Sequence, residues 1–111
     1  MQEYDVEIFV DFKSFSKAHP EIAERFSEEM DCSNIDYINL YPTLEDYAIY
    51  EVEYGWYSEL CPNQSDFRGA PNIFYFIDYE ELGNALKNTW DESIHWYDPV
   101  SKCVLEYEKS N

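Results

Sequence analysis

The sequence predicts an α+β fold, a small antiparallel sheet with two or three helices packed on it. Three observations carry that expectation. Tyr4 to Phe12 alternates in period two. The segments opening at Pro20, Leu44 and Tyr79 place apolar residues at helical spacing. The chain closes on two strand-like runs around Asp98-Pro99-Val100-Ser101, the chemistry of a turn with Pro at its second position. With 111 residues, 45% of them hydrophobic, residues 1–111 read as a single acidic domain able to build a core.

Taken in order, Tyr4, Val6, Ile8, Val10 and Phe12 fall on one face of the first strand, and Asp5, Glu7, Phe9 and Asp11 on the other. Ser14 to Ala18 reads as a turn leading into a helix from Pro20 to Met30. Its apolar stripe is Ile22, Ala23, Phe26 and Met30, and Pro suits its first position. A polar connection, Asp31 to Asp36, precedes a short strand from Tyr37 to Tyr41 that Pro42 ends. Thr43 and Asp46 match a helix-start box. A helix from Leu44 to Tyr57 stacks Leu44, Tyr47, Ala48 and Val52. The same stretch also alternates through Ala48, Tyr50, Val52 and Tyr54, so helix is favoured and strand stays open, with Gly55 weakening either. Cys61 to Asn72 has loop chemistry, and Ile73 to Ile77 is apolar. A capped helix, Tyr79 to Asn88, turns Leu82, Ala85 and Leu86 inward, and a hairpin of Ser93–Tyr97 with Lys102–Tyr107 ends the chain.

Charge is the dominant feature. There are 24 acids against 7 basic residues, a formal net charge of -17. Disordered acidic chains are poor in aromatics, whereas this one has 3 Trp, 11 Tyr and 7 Phe. Such a charge opposes compaction through self-repulsion, and three explanations compete for it: solubility or a saline setting, a cationic ligand such as calcium, and a basic protein partner. Direct nucleic-acid binding needs a basic patch, and seven scattered cations do not make one. The 3 Gly form no phosphate-binding loop. No CxxC, HExxH or calcium loop occurs, so no metal and no cofactor is expected. For catalysis, His95 and Cys103 are the candidates, with His19 at a helix start; no nucleophile and base stand at a telling spacing, and no enzyme is expected. Three widely spaced cysteines, Cys32, Cys61 and Cys103, read as reduced thiols. No apolar run approaches the roughly 18 residues of a membrane span, and the acidic start does not resemble a secretion signal. A cytoplasmic setting is the expectation.

Between Phe26 and Phe67 there is no Lys or Arg, while Glu28, Glu29, Asp31, Asp36, Glu45, Asp46, Glu51, Glu53, Glu59 and Asp66 fall there. Carboxylates held a few ångströms apart can occupy sites that receive phosphates, pairing with Arg and Lys of a DNA channel. Tyr50, Tyr54 and Trp56 supply stiff contact area of the kind favoured in protein interfaces. Exposed aromatics also make a homodimer plausible.

The stretch from Pro71 to Leu86, PNIFYFIDYEELGNAL, resembles the C-terminal domain of ArdA-type antirestriction proteins: Phe76, Ile77, Asp78, Tyr79 and Glu80 stand in the family's order, with Gly83 after them. Tyr41 to Tyr50 is similar to the family's strand-ending Tyr-Pro and acidic helix, and Glu106-Tyr107 to its closing hairpin. The chain departs from the family in having Asn84-Ala85 in place of Arg-Asp and only some 36 residues before the matched part. The resemblance implies a dimeric DNA mimic that fills the DNA groove of a restriction enzyme; a small relative could act on a CRISPR effector. The expected function is therefore an acidic inhibitor of a DNA-binding defence nuclease. The alternative is an acidic adaptor or immunity-type protein that neutralises a basic toxin or enzyme. On the first reading, reversing Glu45, Asp46 and Glu51 together abolishes inhibition and leaves the fold intact.

Overall fold

A computed structural model describes residues 3–60 and 66–110. Four strands form one antiparallel sheet: β1 (Glu7–Phe9), β2 (Ile35–Tyr41), β5 (His95–Tyr97) and β6 (Val104–Lys109), in the order β1-β2-β6-β5. Helices α1 (Phe12–Ala18) and α2 (Pro20–Glu29) lie on one face, and α3 (Leu44–Glu53) and α4 (Tyr79–Lys87) on the other. A two-residue pair, β3 (Asp66–Phe67) with β4 (Ala70–Pro71), sits apart from the main sheet.

Alternation along β6 explains the three layers. Leu105 and Tyr107 enter the core under α1 and α2, with Ile38 and Leu40 from β2 and Trp96 from β5. Val104 points the other way, into the core shared by Tyr41, Tyr47, Val52, Leu86 and Trp90. A bulge between Ile35 and Tyr37 gives β2 one extra residue, Asp36, and lets Ile35 and Ile38 both face α1 and α2. Phe26 closes that layer, its ring 5.2 Å from Trp96 and 5.1 Å from Tyr107.

The fold class agrees with the sequence, and local rules account for several boundaries. Thr43 and Asp78 accept hydrogen bonds from the third residue of α3 and α4 respectively. The helical alternative is the one adopted from Leu44, ending at Glu53. Other expectations need correction. The first strand is only three residues long, because Asp11 caps α1 and turns Phe12 into its first residue. Phe9 is the strand residue packed into a core, while Ile8 and Val10 are 70% and 74% exposed. Period two gives two faces but not which one a helix covers. Ile73–Phe76 is a short 3-10 helix capped by Asn72. The final turn is one residue longer than a type I turn: the Lys102 N–H donates to Asp98 O, with Lys102 at φ 67°.

Gly83 sets the spacing of the α3/α4 layer. A Cβ at Gly83 would lie 2.6 Å from the Leu44 carbonyl oxygen, a backbone atom that cannot swing aside. Gly83→Ala is therefore expected to destabilise the protein by about 2 kcal/mol, despite Ala's better helix propensity. Urea denaturation with an unchanged slope and a lowered midpoint is the expected result.

Candidate functional site

The acids expected to form one surface divide among three environments. Glu28 and Glu29 are exposed on α2, and Asp31 follows them, its carboxylate holding Ser33. Asp36 is exposed at the β2 bulge. Glu45 is exposed at the start of α3, whereas Asp46 is half-buried and tied: Thr43 Oγ1 donates to it at 2.7 Å and the Asp5 N–H at 3.0 Å. Glu59 is exposed. Because α2 and α3 cover opposite faces of the sheet, these residues do not make one array. The side chain of Asp66 lies outside the described part. Of the aromatic candidates, Tyr54 and Trp56 are exposed, while Tyr50 is half-buried against Tyr4 and Tyr41.

Two of the expected contact residues are buried. Glu53 is 8% exposed and Glu51 only 3%. Both lie on the inward side of α3, a placement the alternation of acids with apolar residues concealed. Burial and the nearby charge of Glu106 push the Glu51 carboxyl up to about 7, against the opposing pull of His95 and the Trp56 N–H. A carboxyl that binds a proton near neutrality is a poor phosphate substitute. Charge reversal at Glu51 would force a longer cation into the tight buried space beside Gly55 and His95, so the triple reversal of Glu45, Asp46 and Glu51 is expected to unfold the protein rather than leave it intact.

Glu51 belongs to a buried polar cluster between α3 and the sheet. His95 Nδ1 faces the Asp91 carbonyl at 3.0 Å, which requires a proton on that nitrogen. Its Nε2 lies 3.0 Å from Tyr47 Oη and 3.2 Å from Glu106 Oε2. Tyr41 Oη donates to the other Glu106 oxygen at 3.5 Å. The Trp90 ring stacks on the imidazole, 5.1 Å away and 9° from parallel. Burial disfavours the imidazolium, but the hydrogen bonds with Glu106 and Asp91 and the charges of Glu106 and Glu51 outweigh it, and the His95 pKa is raised. Gly55 makes room for Glu51: a Cβ there would lie 2.7 Å from Glu51 Oε1. Both ring nitrogens of His95 are taken up by the protein, and Cys103 is buried in the core on the other face. The structure does not bring His95 and Cys103 together. Among the described residues no group of three or more His, Cys, Asp or Glu is placed to hold a metal.

Two exposed acids that sequence reading passed over, Glu21 and Glu24, stand on α2 in line with Glu28, which it had named. Glu21, Glu24 and Glu28 occupy positions i, i+3 and i+7 and are all exposed, so they form one stripe along the helix. The signal was hidden by Arg25, which appeared to interrupt the acidic run. In the fold its Nε donates to Asp98 Oδ1 at 3.0 Å and its Nη2 to Oδ2 at 2.7 Å. Asp98 is fully buried. Although burial works against its charge, the hydrogen bonds from Arg25, Ser101 and Val100 hold its carboxyl far below the usual range. The cation is thus matched within the fold, and the outer face of α2 keeps its acids. Ala23 and Phe26 anchor the other side of the helix.

Protein-family models, curated proteins and solved structures contain no match to this chain.

The raised pKa values fix a direction for stability. Glu51 and His95 each hold a proton more tightly in the folded chain, so their contribution is complete below the unfolded pKa and is lost as pH rises through the folded one. For Glu51 the window runs from its ordinary 4.5 to about 7. Wild-type stability is expected to fall across that window by up to about 3 kcal/mol more than that of Glu51→Gln. Denaturation midpoints measured from pH 5 to 8 check this; parallel curves for the two proteins would exclude the assignment.

Proposed function

We propose that the chain is an acidic nucleic-acid mimic, an inhibitor that occupies the DNA-binding channel of a bacterial defence nuclease, a restriction enzyme or a CRISPR effector. The observation that carries this reading is the exposed stripe Glu21, Glu24 and Glu28 on a helix clamped to the core through Arg25 and Phe26. A helix rises about 1.5 Å per residue, so successive stripe charges stand a few ångströms apart along its axis. That is the scale of a nucleic-acid strand, with its charge every ~3.4 Å. Rigid attachment matters because each Arg or Lys of a channel needs its partner already in place; ordering loose side chains would cost about 0.5–1.5 kcal/mol apiece. The overall charge of -17 would steer the chain toward a basic cleft and make association fast and salt-sensitive. Glu28 and Glu29 carry the same surface chemistry to the β5 edge, beside Trp96 and Pro99, Asp31 and Asp36 are exposed before and within β2, and Glu45, Glu59 and the tied Asp46 belong to the α3 side.

The test is a gel competition in which restriction and CRISPR effector complexes hold labelled target DNA. Wild type is expected to displace the DNA from one of them, with the effect relieved by added salt. The reversal Glu21→Lys/Glu24→Lys/Glu28→Lys, folded by circular dichroism, is expected to weaken displacement at least tenfold. Reversal of Glu80 and Glu81, exposed on α4 across the sheet, should change it less than about twofold. Full displacement by the folded α2 variant would exclude this surface.

A further inference from the structure

We propose that the open edge of β5 is a docking strand for an extended basic segment of a partner protein. Among the described residues β5 is an outer strand of the sheet, bonded only to β6. Tyr107 N–H donates to Ile94 O at 2.9 Å, Asp98 N–H donates to Cys103 O at 3.0 Å, and Trp96 stands opposite Leu105 between them. Hydrogen-bonded pairs alternate along an antiparallel ladder, so residues 94, 96 and 98 are turned to β6. His95 and Tyr97 then direct their N–H and C=O groups away from it. Edge groups of this kind receive an added strand, with main-chain bonds supplying affinity and flanking pockets supplying specificity.

The surroundings describe the occupant. The edge lies in a groove of about 400 Å³. Glu29 and Met30, at the end of α2, form one wall, and Lys87 and Trp90, at the end of α4, the other, with Glu92 also lining it. Glu29 accepts a 2.5 Å hydrogen bond from Trp96 Nε1, which fixes its carboxylate beside the strand. Lys87 holds its ammonium 4.3 Å over the Tyr97 ring, so the aromatic wall already receives a cation. Its flexible stem lets that ammonium move into water when another cation arrives. A second copy of the chain fits poorly. Two bodies of charge -17 repel, and a three-residue strand offers few bonds against that repulsion.

The proposal rests on the reading of the protein as a binder of basic partners, but its test is separate from DNA displacement. The probe is a short peptide of alternating Arg and Thr, added to the ¹⁵N-labelled full chain. Expected are at least tenfold slower hydrogen exchange at the His95 and Tyr97 amides and quenched tryptophan fluorescence. The same peptide N-methylated at alternate backbone positions keeps its charge but loses one bonding edge, and it should bind about tenfold more weakly. Glu29→Gln/Glu92→Gln should weaken binding several-fold. Binding that leaves both amides unprotected, equal binding of the N-methylated peptide, or absence of binding would each overturn the proposal. So would protection that grows with protein concentration without peptide, the mark of edge-to-edge self-association. Peptide docking without DNA displacement supports the edge and removes the mimic; displacement by a chain that ignores the peptide does the reverse.

Discussion

The structure depends on a sheet that is covered on both faces. In a chain of this size such a sheet needs central strands that present apolar groups in both directions, and β2 and β6 meet that condition. Leu105 and Tyr107 face one helical layer and Val104 the other; Ile38 and Leu40 oppose Tyr41 in the same way. Glu106 lies on that second face, next to Val104 in the alternation of β6. Its carboxylate at the sheet centre requires partners, and His95, Tyr41 and Tyr47 gather there. One polar residue on a central strand thus organises the buried His95. It also raises the proton affinity of its neighbour Glu51. Among the described residues Glu51 Oε2 is buried here without a hydrogen-bond partner, which favours the neutral acid over the carboxylate.

Charge and fold constrain each other. With 24 acids, repulsion falls as carboxylates spread over the outside, and most described acids do lie there. The exceptions are informative. Asp98 is stabilised as an anion by Arg25 and by the N–H groups of its own turn. Glu51 is instead stabilised as the neutral acid. The Arg25–Asp98 pair joins α2 to the β5–β6 turn, 73 residues away in sequence. Removing either partner would leave the other without its counter-charge, and the acidic face of α2 would lose its alignment with the sheet.

Elements were legible where a local rule decides them. Thr43 and Asp78 mark helix starts, Pro20 opens α2, and the apolar stripe of Ile22, Ala23 and Phe26 gives that helix its inner side. The candidate surface was less legible. An uninterrupted acidic run drew attention to residues 28–66, yet a run in sequence is not a patch in space. Helix α3 turns Glu51 and Glu53 inward while Glu45 stays outside. Glu21 and Glu24 were passed over because Arg25 stands beside them, and its partner could not be named from spacing alone.

By itself the sequence determined the α+β class, the strongly negative character and the places where helices begin, because composition and caps act within a few residues. Tertiary structure alone decided which face of each strand is covered, which acids reach water, that Arg25 is matched by Asp98, and that β5 is left with an open edge. Each of these depends on strand order and on pairs far apart in the chain. Local propensity carries no information about either.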